Sequence, residues 1–195
     1  MEIILHKINT INELQRVDSN FGVEIDVRAY GSDLILNHEP YENGDKLIDY
    51  LNEYRHGTII INIKESGIED DVLDLITGRH NIKNYFLLDV ELPYLINASK
   101  AGQRNIAVRF SEMESIDSVK YFINKVDWVW IDTITDLPIY EQNRSTLNSF
   151  KKCLVCPERW GRPNDIESYK DRLKMMNFTL DAVMTDRKYA KLWAK

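Results

Sequence analysis

Residues 23–29 read Val-Glu-Ile-Asp-Val-Arg-Ala and residues 58–63 read Thr-Ile-Ile-Ile-Asn-Ile, two short runs rich in β-branched residues. Runs of this length and composition are typical of strands buried inside a parallel sheet. Six more runs of the same kind are spaced along the chain, at residues 2–5, 85–89, 105–109, 127–132, 152–155 and 181–184. A further run at residues 33–37 is predicted to extend the second strand as a hairpin at the rim.

Amphipathic segments separate these strands. The first carries Ile11, Leu14 and Val17 behind a capping Asn9 or Thr10, and helical patterns recur near residues 47–51, 68–76, 115–123 and 164–173. Eight alternations without a linker imply parallel strands joined by crossover helices, which fits either a closed barrel or an open doubly wound sheet. The open sheet usually has a glycine-rich first turn, which residues 6–9 lack. We therefore predict a single α/β domain over residues 1–195, a compact (β/α)8 TIM barrel.

Charge and hydrophobicity limit the partners and the location that we expect for this protein. The 195 residues carry a net charge of -6 and no basic run, so no nucleic-acid partner is expected. The apolar stretches are too short to span a bilayer, so we expect no integral membrane segment. No basic leader or cleavage site precedes His6, from which we expect a cytoplasmic protein. The sequence leaves the oligomeric state open.

Polar residues collect where the first three strands end. His6 closes the first strand, Glu24 and Asp26 are two apart in the second, and the other members are His38, Asn62 and Lys64. A barrel carries its active site at these carboxyl ends, and interior charges are costly unless they are paired or bind a metal. The structural alternatives are Glu24 and Asp26 paired with an arginine, Arg28 or Arg109, and Lys64 acting as their counter-charge.

Two later residues are candidates for substrate contact. Arg109 ends the fifth strand and is a candidate phosphate ligand, whereas Trp160 lies in a loop after a strand, where binding residues are common.

The order of these motifs resembles the glycerophosphodiester phosphodiesterase family, within the wider phosphatidylinositol-specific phospholipase C-like superfamily. That family has a histidine ending the first strand, then E-x-D-V, then a second histidine followed by an acid, then E-x-K on the third strand. The matching residues here are His6, Glu24, Asp26, Val27, His38, Glu39, Asn62 and Lys64, with Thr185-Asp186 near the end of the chain.

The resemblance implies a metal-dependent hydrolysis of a small-molecule phosphodiester of the glycerophosphodiester type. His6 and His38 would be the general acid and base, and Lys64 would contact the phosphate. Glu24, Asp26 and Asn62 would hold a divalent cation, which their oxygen ligands suggest is Mg²⁺ or Ca²⁺.

Three departures from the family pattern are present. Lys7 and Ile8 replace the usual arginine and glycine after the first histidine, and the neutral Asn62 replaces a carboxylate, which predicts weak metal binding. The insertion after the second histidine is nearly absent, so this is a short form. A weak or inactive barrel that binds a phosphorylated ligand is therefore the alternative. A further alternative is metal-independent cleavage through a cyclic phosphate, in which Arg28 or Arg109 takes the place of the metal.

Overall fold

The computed structural model describes residues 1–194, in which strands and helices alternate. The strands are β1 (Glu2–Leu5), β2 (Gly22–Tyr30), β3 (Asp33–Leu36), β4 (Asp45–Lys46), β5 (Ile59–Ile63), β6 (Tyr85–Leu88), β7 (Ala107–Phe110), β8 (Trp128–Ile131), β9 (Lys151–Val155) and β10 (Ala182–Thr185). The helices are α1 (Ile11–Leu14), α2 (Leu47–Glu53), α3 (Glu69–Leu73), α4 (Leu92–Lys100), α5 (Ile116–Tyr121), α6 (Glu141–Leu147), α7 (Asp165–Met175) and α8 (Ala190–Trp193). A π-helical turn, Asp74–Arg79, continues α3, and a 3-10 turn, Pro157–Trp160, follows β9.

The strand predictions are confirmed, because a strand lies in each of the eight predicted runs and β3 fills the predicted hairpin position. The helix starts also agree with the capping signals. Thr10 caps α1 by accepting from the Glu13 amide, while the Glu13 carboxylate accepts from the Thr10 amide. Ser115 caps α5 by accepting from the Asp117 amide.

The chain divides into two compact units. The N-terminal unit is Ile4–Leu95, and the C-terminal unit combines Met1–Ile3 with residues 96–194, so that β1 contributes residues to both. The two units are described separately below. The prediction of a single domain stays a prediction.

The N-terminal unit is built around β2. Its first residues pair in parallel with β1, its middle pairs in parallel with β5, and β5 pairs in parallel with β6. The far end of β2 pairs instead with β3 in an antiparallel hairpin, which β4 extends. Ile59, Ile60 and Ile61 of β5 are all fully buried, as expected of a parallel strand covered on both faces.

In the C-terminal unit, four parallel strands lie in the order β7, β8, β9, β10. The start of β1 joins the β10 side, where the Glu2 amide donates to the Asp181 carbonyl at 2.7 Å. The described part of the chain contains no helix that is both long enough and apolar enough to cross a membrane.

The segment after β1 is anchored to the N-terminal unit by a buried tyrosine of α2. Tyr50 is fully buried, and its hydroxyl donates to the Ile8 carbonyl at 2.9 Å. The Ile8 amide in turn donates to the Glu24 carbonyl at 2.9 Å. Tyr50 therefore fixes the residues between the first strand and α1.

We expect Tyr50→Phe to lower the free energy of unfolding by about 1–3 kcal/mol, because the Ile8 carbonyl would be left buried without this donor. Urea unfolding measures the change. The control is Tyr30→Phe, since Tyr30 is about half exposed, and its effect should stay within about 0.5 kcal/mol. Equal values for the two variants would show that the Tyr50 hydroxyl does not anchor this segment.

Candidate active site

The candidate site lies at the carboxyl ends of β1, β2 and β5 in the N-terminal unit. His6 directly follows β1, and Lys64 directly follows β5. Glu24 and Asp26 are separated by one residue on β2, so their side chains point to the same side of the strand. Asn62 of β5 is the register partner of Asp26. The parallel pairing of these strands is what brings residues distant in sequence to one edge.

Glu24 is held by donors from β5 and from the segment after β1. Its side chain is 2% exposed; Oε1 accepts from Asn62 Nδ2 at 3.0 Å, and Oε2 accepts from the Lys7 amide at 2.8 Å. His6 Nε2 lies 4.0 Å from Oε2. The carboxylate is thus placed between the end of β1 and β5.

Asp26 is paired with a lysine and an asparagine. Lys64 Nζ lies 3.1 Å from Oδ1, and Asn9 Nδ2 donates to Oδ2 at 2.8 Å. The Asn9 amide oxygen accepts from the Asp26 backbone amide at 2.8 Å, so the two residues bind each other reciprocally. Lys64 therefore balances the charge of Asp26, which is the structural alternative that the sequence analysis gave for this lysine.

The surroundings of Glu24 change its protonation. Burial, and then the charge of the nearby Asp26, raises the pKa of Glu24 from 4.5 to about 7. The hydrogen bonds from Asn62 and Lys7 and the charge of Lys64 act in the opposite direction and only in part cancel this rise. Near neutral pH, Glu24 is consequently poised between its two protonation states.

His38 lies in the loop after β3, in a separate hydrogen-bonded group. Its Nδ1 is 2.7 Å from Glu39 Oε1, and its carbonyl accepts from Arg28. The hydrogen bond and charge of His38 lower the pKa of the exposed Glu39 carboxyl. A carboxylate bound at Nδ1 favours the tautomer with its proton there and leaves Nε2 as the nitrogen for proton transfer.

The amide oxygen of Asn62, near Glu24, is suited to bind a hard cation. Asn62 Oδ1 is buried, and no hydrogen-bond partner for it exists among residues 1–194. The Nδ2 atom of the same side chain donates to Glu24, and carboxylate and amide oxygens are the ligands that Mg²⁺ and Ca²⁺ prefer. No group of three or more histidine, cysteine, aspartate or glutamate side chains in the same range could hold a metal ion. The ligand set would therefore depend on Asn62.

Arg109 and Trp160 belong to the C-terminal unit, where Asp132 binds both. Trp160 Nε1 donates to Asp132 Oδ1 at 2.7 Å, and an Arg109 nitrogen donates to Oδ2 at 2.9 Å. Arg109 also pairs with Glu114 at 3.2 Å, so two carboxylates already balance its charge. The roles of Arg109 and Trp160 in substrate contact stay predictions.

The structure thus joins Glu24, Asp26, Asn62 and Lys64 by hydrogen bonds and ion pairs, with His6 at their edge. Sequence reasoning considered Asn9 only as a helix cap and gave no role to Glu39 or Asp132. Glu39 was included in the motif as the acid after His38, and this position could have indicated its contact with the ring. The positions of Asn9 and Asp132 depend on tertiary packing.

Comparisons with known proteins show the fold. No family model matches the sequence, and no curated protein is significantly similar to it. Among solved structures, a provisionally named glycerophosphoryl diester phosphodiesterase from Agrobacterium tumefaciens matches with a TM-score of 0.71 and 11% identity, over 99% of this chain and 96% of that one. A glycerophosphodiester phosphodiesterase from the same bacterium matches with a TM-score of 0.67 and 14% identity, over the whole of both chains.

The chain has the fold of these phosphodiesterases. The predicted (β/α)8 barrel is therefore confirmed, and likeness at this level of identity extends to nothing beyond the fold.

The raised pKa of Glu24 predicts a pH-dependent stability in metal-free protein. Between pH 4.5 and 7 the unfolded chain loses the Glu24 proton while the folded chain keeps it, so stability falls as pH rises through this window. Glu24→Gln removes this dependence. The stability of the wild type relative to this variant should fall by on the order of 3 kcal/mol from pH 4.5 to 7.5.

Urea unfolding with a chelator present, at several pH values in this window, measures the difference. A stability difference between Glu24→Gln and wild type that stays constant across the window would contradict the assignment of a raised pKa to Glu24.

Proposed function

We propose that this chain hydrolyses a small-molecule phosphodiester, with glycerophosphodiesters as the expected substrates, by a metal-assisted reaction in which His6 and His38 transfer protons. The observation that carries the proposal is the buried Glu24–Asp26 pair, with Lys64 bound to Asp26 and Asn62 bound to Glu24. The Oδ1 atom of Asn62 has no hydrogen-bond partner among residues 1–194. The fold shared with two phosphodiesterases supports the reaction class.

The chain's own residues supply the proton transfers and part of the positive charge. One imidazole removes a proton from the attacking water and the other gives a proton to the leaving alcohol, the base and acid roles that histidine fills most often in enzymes. Glu39 holds the ring of His38 through Nδ1. Lys64 offers an ammonium group to a non-bridging phosphate oxygen, and Asp26 keeps that ammonium in place.

Glu24, Asp26 and Asn62 are the residues proposed to hold a divalent cation, Mg²⁺ or Ca²⁺. When bound, the cation would neutralise charge on the phosphate and help to orient it. With two carboxylates and one neutral amide as ligands, the site has less negative charge than one with three carboxylates. Because hard cations are held largely by ligand charge, we propose that binding is weak.

A second candidate function is supported by the same hydrogen bonds. Each of the four carboxylate oxygens of Glu24 and Asp26 already faces a nitrogen donor, supplied by Lys7, Asn9, Asn62 and Lys64. Carboxylates whose oxygens all have protein donors favour a barrel that binds a phosphorylated ligand with little or no turnover. The cyclic-phosphate alternative needs an arginine at the metal position, but Arg28 is bonded to the His38 and Lys64 carbonyls.

Turnover of bis(p-nitrophenyl) phosphate with Mg²⁺ or Ca²⁺ separates these functions. The hydrolase proposal requires release of p-nitrophenol that a chelator abolishes and added metal restores. Binding of inorganic phosphate without any turnover of this diester or of glycerophosphodiesters would favour the binding barrel. Turnover that the chelator leaves unchanged would favour the metal-independent reaction.

His6→Ala and His38→Ala should each lower kcat by roughly 100-fold to 10,000-fold, the usual contribution of a general acid or base. The control is His80→Ala, since His80 is bonded to the Leu75 carbonyl and Asn52 at the end of a helical turn. It should keep wild-type turnover. Circular dichroism checks that all three variants are folded. A histidine whose alanine variant retains wild-type kcat is not the acid or base.

Asn62→Glu should tighten Mg²⁺ or Ca²⁺ binding, because it adds a third negative ligand, and Asp26→Asn should weaken it by removing one. Titration calorimetry at pH 8 measures both affinities. Asp33→Asn is the matched control, since it removes a surface carboxylate that pairs with Lys46. Affinities that are the same in all three variants would mean that the cation is not bound at Glu24 and Asp26.

A further inference from the structure

Arg28 joins two segments of the candidate site through main-chain carbonyls. Its Nε and one terminal nitrogen donate to the His38 carbonyl at 3.2 and 3.0 Å, and its other terminal nitrogen donates to the Lys64 carbonyl at 3.1 Å. The side chain is 16% exposed. The planar guanidinium thus spans the loop that carries His38 and the strand end that carries Lys64.

The strands β3 and β5 end just before these two residues. The β2–β3 register ends at Leu36, and the last backbone bond of this edge runs from the Asn37 amide to the Asp26 carbonyl at 3.1 Å. On the other edge, the Lys64 amide donates to the Val27 carbonyl at 3.1 Å. The Arg28 side chain therefore adds a second link from β2 to each of these two segments.

The loop that carries His38 has other restraints of its own. Asn37 Oδ1 accepts from the Glu39 amide at 2.9 Å, and Asn37 Nδ2 donates to the Asn43 carbonyl at 2.9 Å. These bonds lie within the loop and shape its turn. The bonds from Arg28 are different, because they tie the loop to the strand that carries Asp26.

A lysine could not replace this arginine. The guanidinium presents donors in a rigid fork, so three of its nitrogens can reach two carbonyls at once, whereas an ammonium on a flexible stem is a single point. Glu65 lies near the same group, with Oε2 at 3.9 Å from a terminal nitrogen of Arg28 and Oε1 accepting from the Ala29 amide at 3.0 Å. This carboxylate limits the positions open to the guanidinium.

We propose that Arg28 is the positioning residue of this site, which sets the place of the His38 imidazole relative to Lys64 by holding the carbonyls of both residues. The expected effect of Arg28 on turnover rests on the proposed function. The expected effect of Arg28 on the loop that carries His38 rests on the hydrogen bonds alone. Arg28 touches no reacting atom in this role. A displacement of about 1 Å in a catalytic group can lower a rate about 100-fold.

The test compares Arg28→Ala and Arg28→Lys with the control Arg55→Ala. Arg55 also donates to a main-chain carbonyl, that of Tyr54, but lies before the start of β5, at the end opposite Lys64. The first readout is amide hydrogen exchange of residues 37–43 together with the ¹⁵N signals of the His38 ring. Both Arg28 variants should speed exchange in this loop and shift the ring signals, and Arg55→Ala should change neither.

The second readout is turnover of bis(p-nitrophenyl) phosphate. Both Arg28 variants should lower kcat by roughly 10-fold to 100-fold with less than about a twofold change in KM. In a His38→Ala background, Arg28→Ala should cost much less than it does in the wild type, because the group that it positions is gone. A variant that only destabilised the fold would not show this dependence on His38.

The two readouts separate the possible failures. Unchanged exchange and unchanged ring signals in folded Arg28 variants would overturn the positioning proposal. Full additivity of the Arg28→Ala and His38→Ala effects on kcat would also overturn it. Absence of turnover in the wild type would count against the proposed function, and the exchange data would then decide the role of Arg28 alone.

Discussion

Glu24 and Asp26 place two carboxylates on one side of a buried strand. Glu24 is 2% exposed and Asp26 is 1% exposed. Two neighbouring buried charges of like sign are costly unless donors and a counter-charge surround them. Lys64 supplies the charge, and Lys7, Asn9 and Asn62 supply the remaining nitrogen donors. These donors and the charge of Lys64 only partly offset the effects of burial and of Asp26, so the pKa of Glu24 rises to about 7.

This requirement links the elements of the N-terminal unit to one another. The donors come from the segment after β1 and from β5, so the carboxylates of β2 are satisfied only when both neighbours are in register. Arg28 follows Asp26 on the same side of β2, and it extends the same linkage to the His38 loop. The polar site and the local fold therefore depend on the same hydrogen bonds.

Much of the fold and part of the site follow from local sequence. The β-branched runs predicted the strands, and the spacing of Glu24 with Asp26 and of Asn62 with Lys64 predicted which residues would meet. The helices α4, α6 and α8 were not predicted individually. Asn9, Arg28 and Asp132 received their roles from contacts across 10 to 36 positions, which periodicity does not encode.

The central claim is that the group around Glu24 and Asp26 receives the phosphate of a diester. Crystals soaked with Mg²⁺ and inorganic phosphate at pH 8 test this most directly. The account predicts a phosphate oxygen about 3 Å from Lys64 Nζ, with a nitrogen of His6 or His38 in contact with the same anion. A phosphate bound elsewhere, with Lys64 still paired to Asp26 alone, would contradict it.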